Sequence, residues 1–385
     1  MPAADFGAAG RFWASAVAAA FGAGAAIFLA IESQRAMLAL LVVSIAIALL
    51  IDRLRGARPW LRAAAEHEEV AGATGVVCIL LLCVLFRDDH FTLFLVGRVL
   101  LASLACLGLH LQFGAAGVAN FAGAAFFGVG GYTAAMLSAH SRLPHVLAVL
   151  SGGIVSALIG SLLLLPLLRT RGHYAALVTI AFGLLFRTFA EVNDSLGGPQ
   201  GIKLESFKLV AWQFNDELAI GPFRASFYAN YVIAAAALLA LALVLVRSLD
   251  RSWLGLALDA VRLDETAAAV FGFEVARWKI LAFTLGNFLT GAAGALSAFM
   301  LGFIAPNNFT FAESLTFVSI VILGGIGNAW GVALAAFIMV VLPEKLQVIQ
   351  EYRFLLYATL VILILRFRPA GLLPRPLRRY FRSFA

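Results

Sequence analysis

Charge is what this chain has least of: only 13% of its 385 residues are Asp, Glu, Lys or Arg, about half of the roughly 25% carried by a soluble domain. That scarcity excludes a water-soluble fold. Lysine is rarer still, and Lys203, Lys208, Lys279 and Lys345 are the full set. A P-loop needs Gly-x-x-x-x-Gly-Lys and then Ser or Thr to wrap phosphates, and none of the four lysines fits that pattern. The chain therefore cannot hydrolyse ATP by itself. Cys78, Cys83 and Cys106 lie inside apolar stretches without metal-ligand spacing, so they read as packing residues. His110, His140, His145 and His173 show no zinc-type pairing, and no Ser/His/Asp or Cys/His arrangement stands out. No metal site and no membrane enzyme are expected.

What fills the chain instead is apolar: 62% of residues are hydrophobic and the mean hydropathy is +0.96. Charge-free runs recur at Phe12 to Ile31, Ala36 to Ile51, Val76 to Phe86, Val146 to Leu168, Tyr228 to Val246, Ile280 to Leu301 and Phe354 to Leu365. A bilayer core about 30 Å thick takes about 20 helical residues to cross. The expected fold is an all-α polytopic membrane protein of about ten or eleven transmembrane helices, some short and broken or re-entrant. Because many equivalent runs follow it, the first run reads as a span rather than a signal peptide.

The net charge of +7 suits a nucleic-acid binder on its face. Most Arg and Lys residues, however, collect between the apolar runs, as the positive-inside bias of a multi-pass protein predicts. That pattern makes the lipid bilayer, not nucleic acid, the partner, and places both termini in the cytoplasm. Three regions follow: residues 1–91 with three spans and a basic loop, a core over 92–374, and a basic tail over 375–385.

Two glycine-rich stretches interrupt the apolar pattern. As one helix, Leu315 to Leu342 would reach roughly 42 Å, about 12 Å more than the hydrocarbon. Breaking it at Gly324-Gly325-Ile326-Gly327-Asn328 gives two short helices that enter and return from one side, a form tolerated only where protein or water surrounds the break. Gly123 to Gly131 reads as the counterpart in the first half. Arg98 and Arg187 fall within spans, and Arg187 with Glu191 has the i, i+4 spacing of a one-face pair.

The polar-interrupted segment from Ser252 to Arg277 is the most informative. Leu254, Leu258 and Val261 recur at helical spacing with Asp259 and Arg262 facing elsewhere, so a short amphipathic helix is predicted. Asp264 can N-cap a second helix that Gly272 ends. Two readings remain open on this physics alone: a knob docking in a partner's groove, or an interfacial helix lying on lipid.

The run from Gly255 to Gly272 resembles the coupling segment of ABC importer permeases of the branched-chain amino acid, LivM-type family. The similarity continues through Lys279 to Phe283, Gly291 to Leu296, Gly324 to Gly331, Pro343-Glu344 and Arg368 to Leu372, and in the first half through Gly117 to Tyr132, Arg171 to Thr179 and Gly197 to Gly201. These segments cover roughly Leu93 to Leu373 in family order, a stretch that leaves out the first spans. At Ala122 and Gly123 the family often has Gly followed by His or Gln, so the solute stays open among leucine-like and other amino acids, urea and amides.

The resemblance implies a type II importer-like permease in a bacterial inner membrane. Leu254, Leu258, Val261, Arg262, Asp264, Glu265 and Gly272 would couple it to ATPase motion. Asn120, Gly123, Phe126, Gly128, Gly130, Gly324, Gly325, Gly327 and Asn328 would line a narrow path that holds solute weakly. Two ATPase subunits carrying ATP and Mg, a second, LivH-type permease chain and an external binding protein would be the partners. Lys203, Glu205 and Lys208, on the long loop from Asn193 to Ser226, would dock the binding protein, unless that loop is simply solvated. The alternative is a stand-alone secondary transporter or channel using the same broken helices.

Overall fold

The computed structural model describes residues 7–31, 33–37, 39–40, 43, 68–141, 143–168, 174–209, 212–220, 223–346, 351–367 and 371–373. Most of the expected second span, the basic loop after it, the Arg169 to Gly172 turn and the basic tail lie outside the described residues. Helices run over α1 (Gly7–Ala30), α2 (Glu68–Leu85), α3 (His90–His110), α4 (Gly123–His140), α5 (His145–Leu167), α6 (Tyr174–Val192) and α7 (Tyr228–Asp250). They continue as α8 (Trp253–Leu263), α9 (Glu265–Val270), α10 (Val275–Leu301), α11 (Phe311–Gly324), α12 (Ala329–Lys345) and α13 (Arg353–Phe367). Among the described residues six helices are long and apolar enough to cross a membrane, α1, α3, α5, α6, α7 and α10. The chain is thus a multi-pass membrane protein; the other apolar helices are shorter or, in α11 and α12, broken.

The chain divides into two compact units, one of residues 1–93 with 219–229 and the other of 94–218 with 230–385. In the first, α1 packs on α2 with Gly22 against the Cys78 side chain. Asp89 caps the start of α3 by accepting from the backbone N–H groups of Phe91 and Thr92 at 3.0 and 3.1 Å. His90 Nδ1 lies 2.5 Å from Ser226 Oγ, and the Ser226 N–H donates to the Arg87 carbonyl at 2.8 Å.

The second unit is built around α10, whose residues from Leu289 to Met300 are buried without a gap. α4 and α5 pack against it. Lipid tails are as apolar as leucine, so helices in a membrane gain more from close van der Waals approach than from the hydrophobic effect, and small residues permit that approach. A methyl group at Gly130 would collide with the Gly291 carbonyl, and one at Gly294 with the Phe127 carbonyl.

This changes the meaning of the first glycine stretch. Gly123 to Gly131 is not broken but lies in the unbroken first half of α4, because its glycines meet neighbouring helices rather than loosen their own. The break in the first half comes earlier, where α3 passes through a π-helical turn at Leu111–Ala115 into non-helical chain before Gly123. In the second half the break falls at the expected glycines: α11 ends at Gly324, Gly325 and Gly327 take φ of 109° and 102°, and Asn328 caps α12 by accepting from Trp330 and Gly331 N–H at 3.0 and 3.2 Å. Gly324 lies against the Gly331 backbone, so α11 and α12 form a hairpin with the glycine break at its tip.

The long loop after α6 forms short strands: β1 (Ile202–Lys203), β2 (Lys208–Leu209), β3 (Trp212–Gln213), β4 (Leu218–Ile220) and β5 (Phe223–Ala225). β1 pairs antiparallel with β6 (Phe303–Ile304), just beyond α10, and β2 with β3. Phe207 and Phe214, both buried, pack with His145, Phe299 and Tyr231. The loop is therefore anchored by an aromatic cluster on the bundle.

Candidate functional site

Local chemistry builds α8 and α9 as two short capped helices. Ser252 accepts from the Leu254 N–H at 3.1 Å, and Asp264 from the Thr266 and Ala267 N–H groups at 2.9 and 3.0 Å. Each bond satisfies a donor that the first helical turn leaves without an intrahelical partner. Gly272 stops the unit with φ of 87°, a conformation costly for any residue with a Cβ. Lys279 on α10 closes on Glu265 at 2.6 Å, and Arg262 lies 3.6 Å from Asp259.

The predicted coupling residues separate into two faces. Leu258 and Val261 are buried and Leu254 and Arg262 half-buried, whereas Asp264, Glu265 and Gly272 are exposed. Val270 and Phe271, which periodicity alone does not single out, stand 81% and 82% exposed at the tip. Their signal in the sequence is two adjacent large apolar residues beside a helix-ending glycine.

The buried face lands on the first break. Leu258 joins a cluster with Ala115, Ala116 and Val118, and the Arg262 side chain lies against Gly117. Gly114, in the π-helical turn, abuts the Gly327 backbone. The second break is braced by the chain after α13, where the Leu372 and Leu373 N–H groups donate to the Leu323 and Gly324 carbonyls at 2.8 and 3.2 Å. One end of the unit thus stacks α8, the first break and the second break in direct succession.

Above the first break lies a buried amide cluster. Gln112 Nε2 donates to Asn287 Oδ1 at 2.9 Å and to the Phe283 carbonyl at 3.2 Å. Asn120 Nδ2 donates to Gln112 Oε1 at 2.7 Å, while its Oδ1 accepts from the Ala122 N–H at 2.8 Å. All three amide residues are fully buried. Asn287 Nδ2 finds no hydrogen-bond partner among the described residues and points at Gly160. Such clusters matter because an amide deprived of its partner costs more than a hydrogen bond contributes. Gln112→Leu is expected to cost about 1–3 kcal/mol, read as a lowered thermal midpoint of the detergent-purified chain.

Of the predicted pathway residues, Asn120 sits in this amide cluster, and Phe126 is fully buried, stacked on Phe182 at 5.0 Å and edge-on to Phe283 at 6.0 Å. Gly123 and Gly128 face Phe317 and Phe309, Gly130 faces α10, and Gly324, Gly325, Gly327 and Asn328 form the second break. None of them lines the cavity of about 390 Å3 that opens among α3, α10, α11, α12 and α13. That cavity is walled by their neighbours Ala124 and Phe127, and by four charges: Arg98, Glu313, Glu344 and Arg353.

At the end of the unit remote from α8, Lys203 and Glu205 are exposed, and Lys208 Nζ lies 3.6 Å from Glu205. The Lys208 backbone N–H donates to His145 Nδ1 at 2.7 Å. Arg187 pairs with Glu191 at 2.9 Å and also reaches Asn307 Oδ1 at 3.3 Å, so the spacing-based pair forms.

A bundle of apolar helices interrupted by two apposed breaks defines a multi-pass membrane protein of the permease class. The family model described as "Branched-chain amino acid transport system / permease component" matches residues 91–365, and the chain belongs to that family. It is 36% identical over 282 residues to the high-affinity branched-chain amino acid transport system permease protein LivM of Salmonella typhimurium, and 35% identical to that of Escherichia coli. Each alignment covers 70% of this chain and 66% of the relative. The LivH permease protein of the same Salmonella system is 23% identical, with 71% of this chain and 91% of the relative covered. No solved structure gives a significant match.

Proposed function

We propose that the chain is the membrane-spanning subunit of an ATP-binding-cassette importer, translocating branched-chain or related small amino acids delivered by an external binding protein. In this reading it works in a bacterial inner membrane beside a LivH-type second permease. Two ATPase subunits on the cytoplasmic face bind ATP and Mg. The proposal draws on what the LivM and LivH relatives are named to transport.

The single observation that carries it is the seating of α8. A capped amphipathic helix whose inner face touches the first break, and whose neighbour α9 is exposed, has the geometry of a lever. Motion imposed on the exposed side must displace Gly117, then the Gly114 and Gly327 contact. Docking of the external binding protein falls to Lys203, Glu205 and Lys208 at the opposite end.

The test is a combined substitution of Asp264, Glu265 and Gly272 in the assembled transporter. It removes a cap, the Lys279 ion pair and the helix stop, and is expected to uncouple leucine uptake from ATP hydrolysis. Intact ATP-driven uptake with intact assembly would refute the coupling assignment. The alternative of a stand-alone carrier is separated by reconstituting the purified chain alone, which on our reading moves no solute without nucleotide and partners.

A further inference from the structure

The cavity of about 390 Å3 lies within the range of roughly 300–1,000 Å3 typical of small-molecule sites. Its charges come from four helices and pair across them: Arg98 of α3 with Glu344 of α12 at 2.6 Å, and Arg353 of α13 with Glu313 of α11 at 3.4 Å. None is sealed away, since Arg98 keeps 41% and Glu344 24% of its side chain accessible. Tyr357 donates to the Met339 carbonyl at 2.9 Å and stands within electrostatic reach of all four charges. The remaining wall mixes Ser297, Asn307, Asn308 and Thr316 with apolar side chains, among them Phe127, 5.6 Å from Phe317 and 6.5 Å from Phe309.

Arg98 lies eight residues into a membrane-crossing helix, roughly 12 Å from its start at 1.5 Å per residue. Charges at such depth are expensive and mark pathways or ligand sites unless their pairing is purely structural. A purely structural pair would be expected to be packed over, and these face the cavity.

The charge balance restricts the guest. Two guanidinium and two carboxylate groups cancel, so a guest with net charge would leave one ion uncompensated. An uncharged apolar guest would gain nothing from them. A zwitterion brings one charge of each sign on neighbouring atoms, and can insert into an Arg–Glu pair by presenting its carboxylate to the guanidinium fork and its ammonium to the carboxylate.

We propose that this cavity is the permease's own transient site for zwitterionic α-amino acids with aliphatic side chains, with Arg98 receiving the α-carboxylate, Glu344 the α-ammonium, and Phe127 and Phe317 the side chain. The inference rests on the importer reading and names where that importer holds its solute. Because the charges already satisfy one another, the guest replaces existing ion pairs instead of filling an unmet need. Binding is therefore weak, as passage requires. Both acids stand at the open ends of the α11 and α12 hairpin whose tip is the glycine break, so occupancy and the break share one hairpin.

The test uses the complete transporter, with its second permease, ATPases and binding protein, in proteoliposomes, and radiolabelled L-leucine as probe. Arg98→Gln and Glu344→Gln are each expected to lower ATP-driven uptake at least tenfold. The exchanged pair, Arg98→Glu with Glu344→Arg, is expected to recover the thermal midpoint of the complex but not uptake, because the guest's two charges would then face the wrong helices. Recovery of uptake by the exchanged pair would reduce the pair to a structural tie, and wild-type uptake by Arg98→Gln would also overturn the proposal. A wild-type complex without ATP-driven leucine uptake overturns the importer reading itself, and is recognised before any variant is compared.

Discussion

Gly130→Val should abolish accumulation of the folded chain in membranes, while Gly183→Val should leave it at the wild-type level. Both glycines lie within helices, so the loss of helix-weakening glycine is common to the two and favours both variants slightly. What differs is the space outside. At Gly130 a Cβ falls on the Gly291 carbonyl, and α5 approaches from another side, with Gly152 placed so that its own Cβ would lie 2.7 Å from the Gly130 carbonyl. Every one of those atoms is backbone, so no rotamer change can relieve the clash and whole helices must separate. Ordinary overpacking, which side chains can partly absorb, costs about 1–3 kcal/mol. Separating α4, α5 and α10 forfeits the packing of the buried centre and threatens a total stability of only about 5–15 kcal/mol. Around Gly183 on α6 there is nothing within 4 Å. Membrane yield and monodispersity in size-exclusion chromatography read the outcome, and a well-folded Gly130→Val chain with an unchanged thermal midpoint would show that the helices do not cross this closely.

The spans are readable because membrane crossing imposes a length and an apolar composition on local sequence, and α5 and α7 begin and end within a few residues of the apolar runs Val146 to Leu168 and Tyr228 to Val246. The α8 to α9 unit was readable for a similar reason, since Ser252, Asp264 and Gly272 each act on backbone groups within a few residues. Glycine, by contrast, means two opposite things. At Gly325 and Gly327 it permits a positive φ and ends a helix, while at Gly130 it admits a neighbouring helix and keeps its own intact. Composition does not distinguish the two, so glycine content points to a first break at Gly123 to Gly131 whereas the chain breaks at residues 111–122. Asn120 is legible beside the glycine-rich stretch, but its partners Gln112 and Asn287 are not, for Asn287 is far along the chain on another helix. The Arg98 and Glu344 pair was beyond reach on the same ground, with 246 positions between its members.

On the proposed importer reading, Phe271→Asp combined with Val270→Asp should release the ATPase subunits from the purified complex and reduce ATP-driven leucine uptake about thirtyfold or more. Two large apolar side chains over 80% exposed at the tip of a capped helical unit have no structural use in the isolated chain. Beside them Trp253, Phe273 and Trp278 border a groove of about 290 Å3, with Trp253 6.3 Å from Phe273 and 6.0 Å from Trp278. Aromatic anchors at the centre of an interface are where truncation costs about 2 kcal/mol or more per residue, and 1.4 kcal/mol is tenfold in affinity. Introducing carboxylates adds the penalty of burying unpaired charge against the partner. The substitution touches no buried contact of the bundle, so the thermal midpoint of the chain alone should stay within a degree or two of the wild type. That separates lost docking from lost folding: on the proposed importer reading Phe271 and Val270 act through a partner, and their effect then vanishes when the partner is absent. Co-purification of stoichiometric ATPase with the double variant would assign this tip to lipid instead, and an interfacial helix would then be the correct description of the segment.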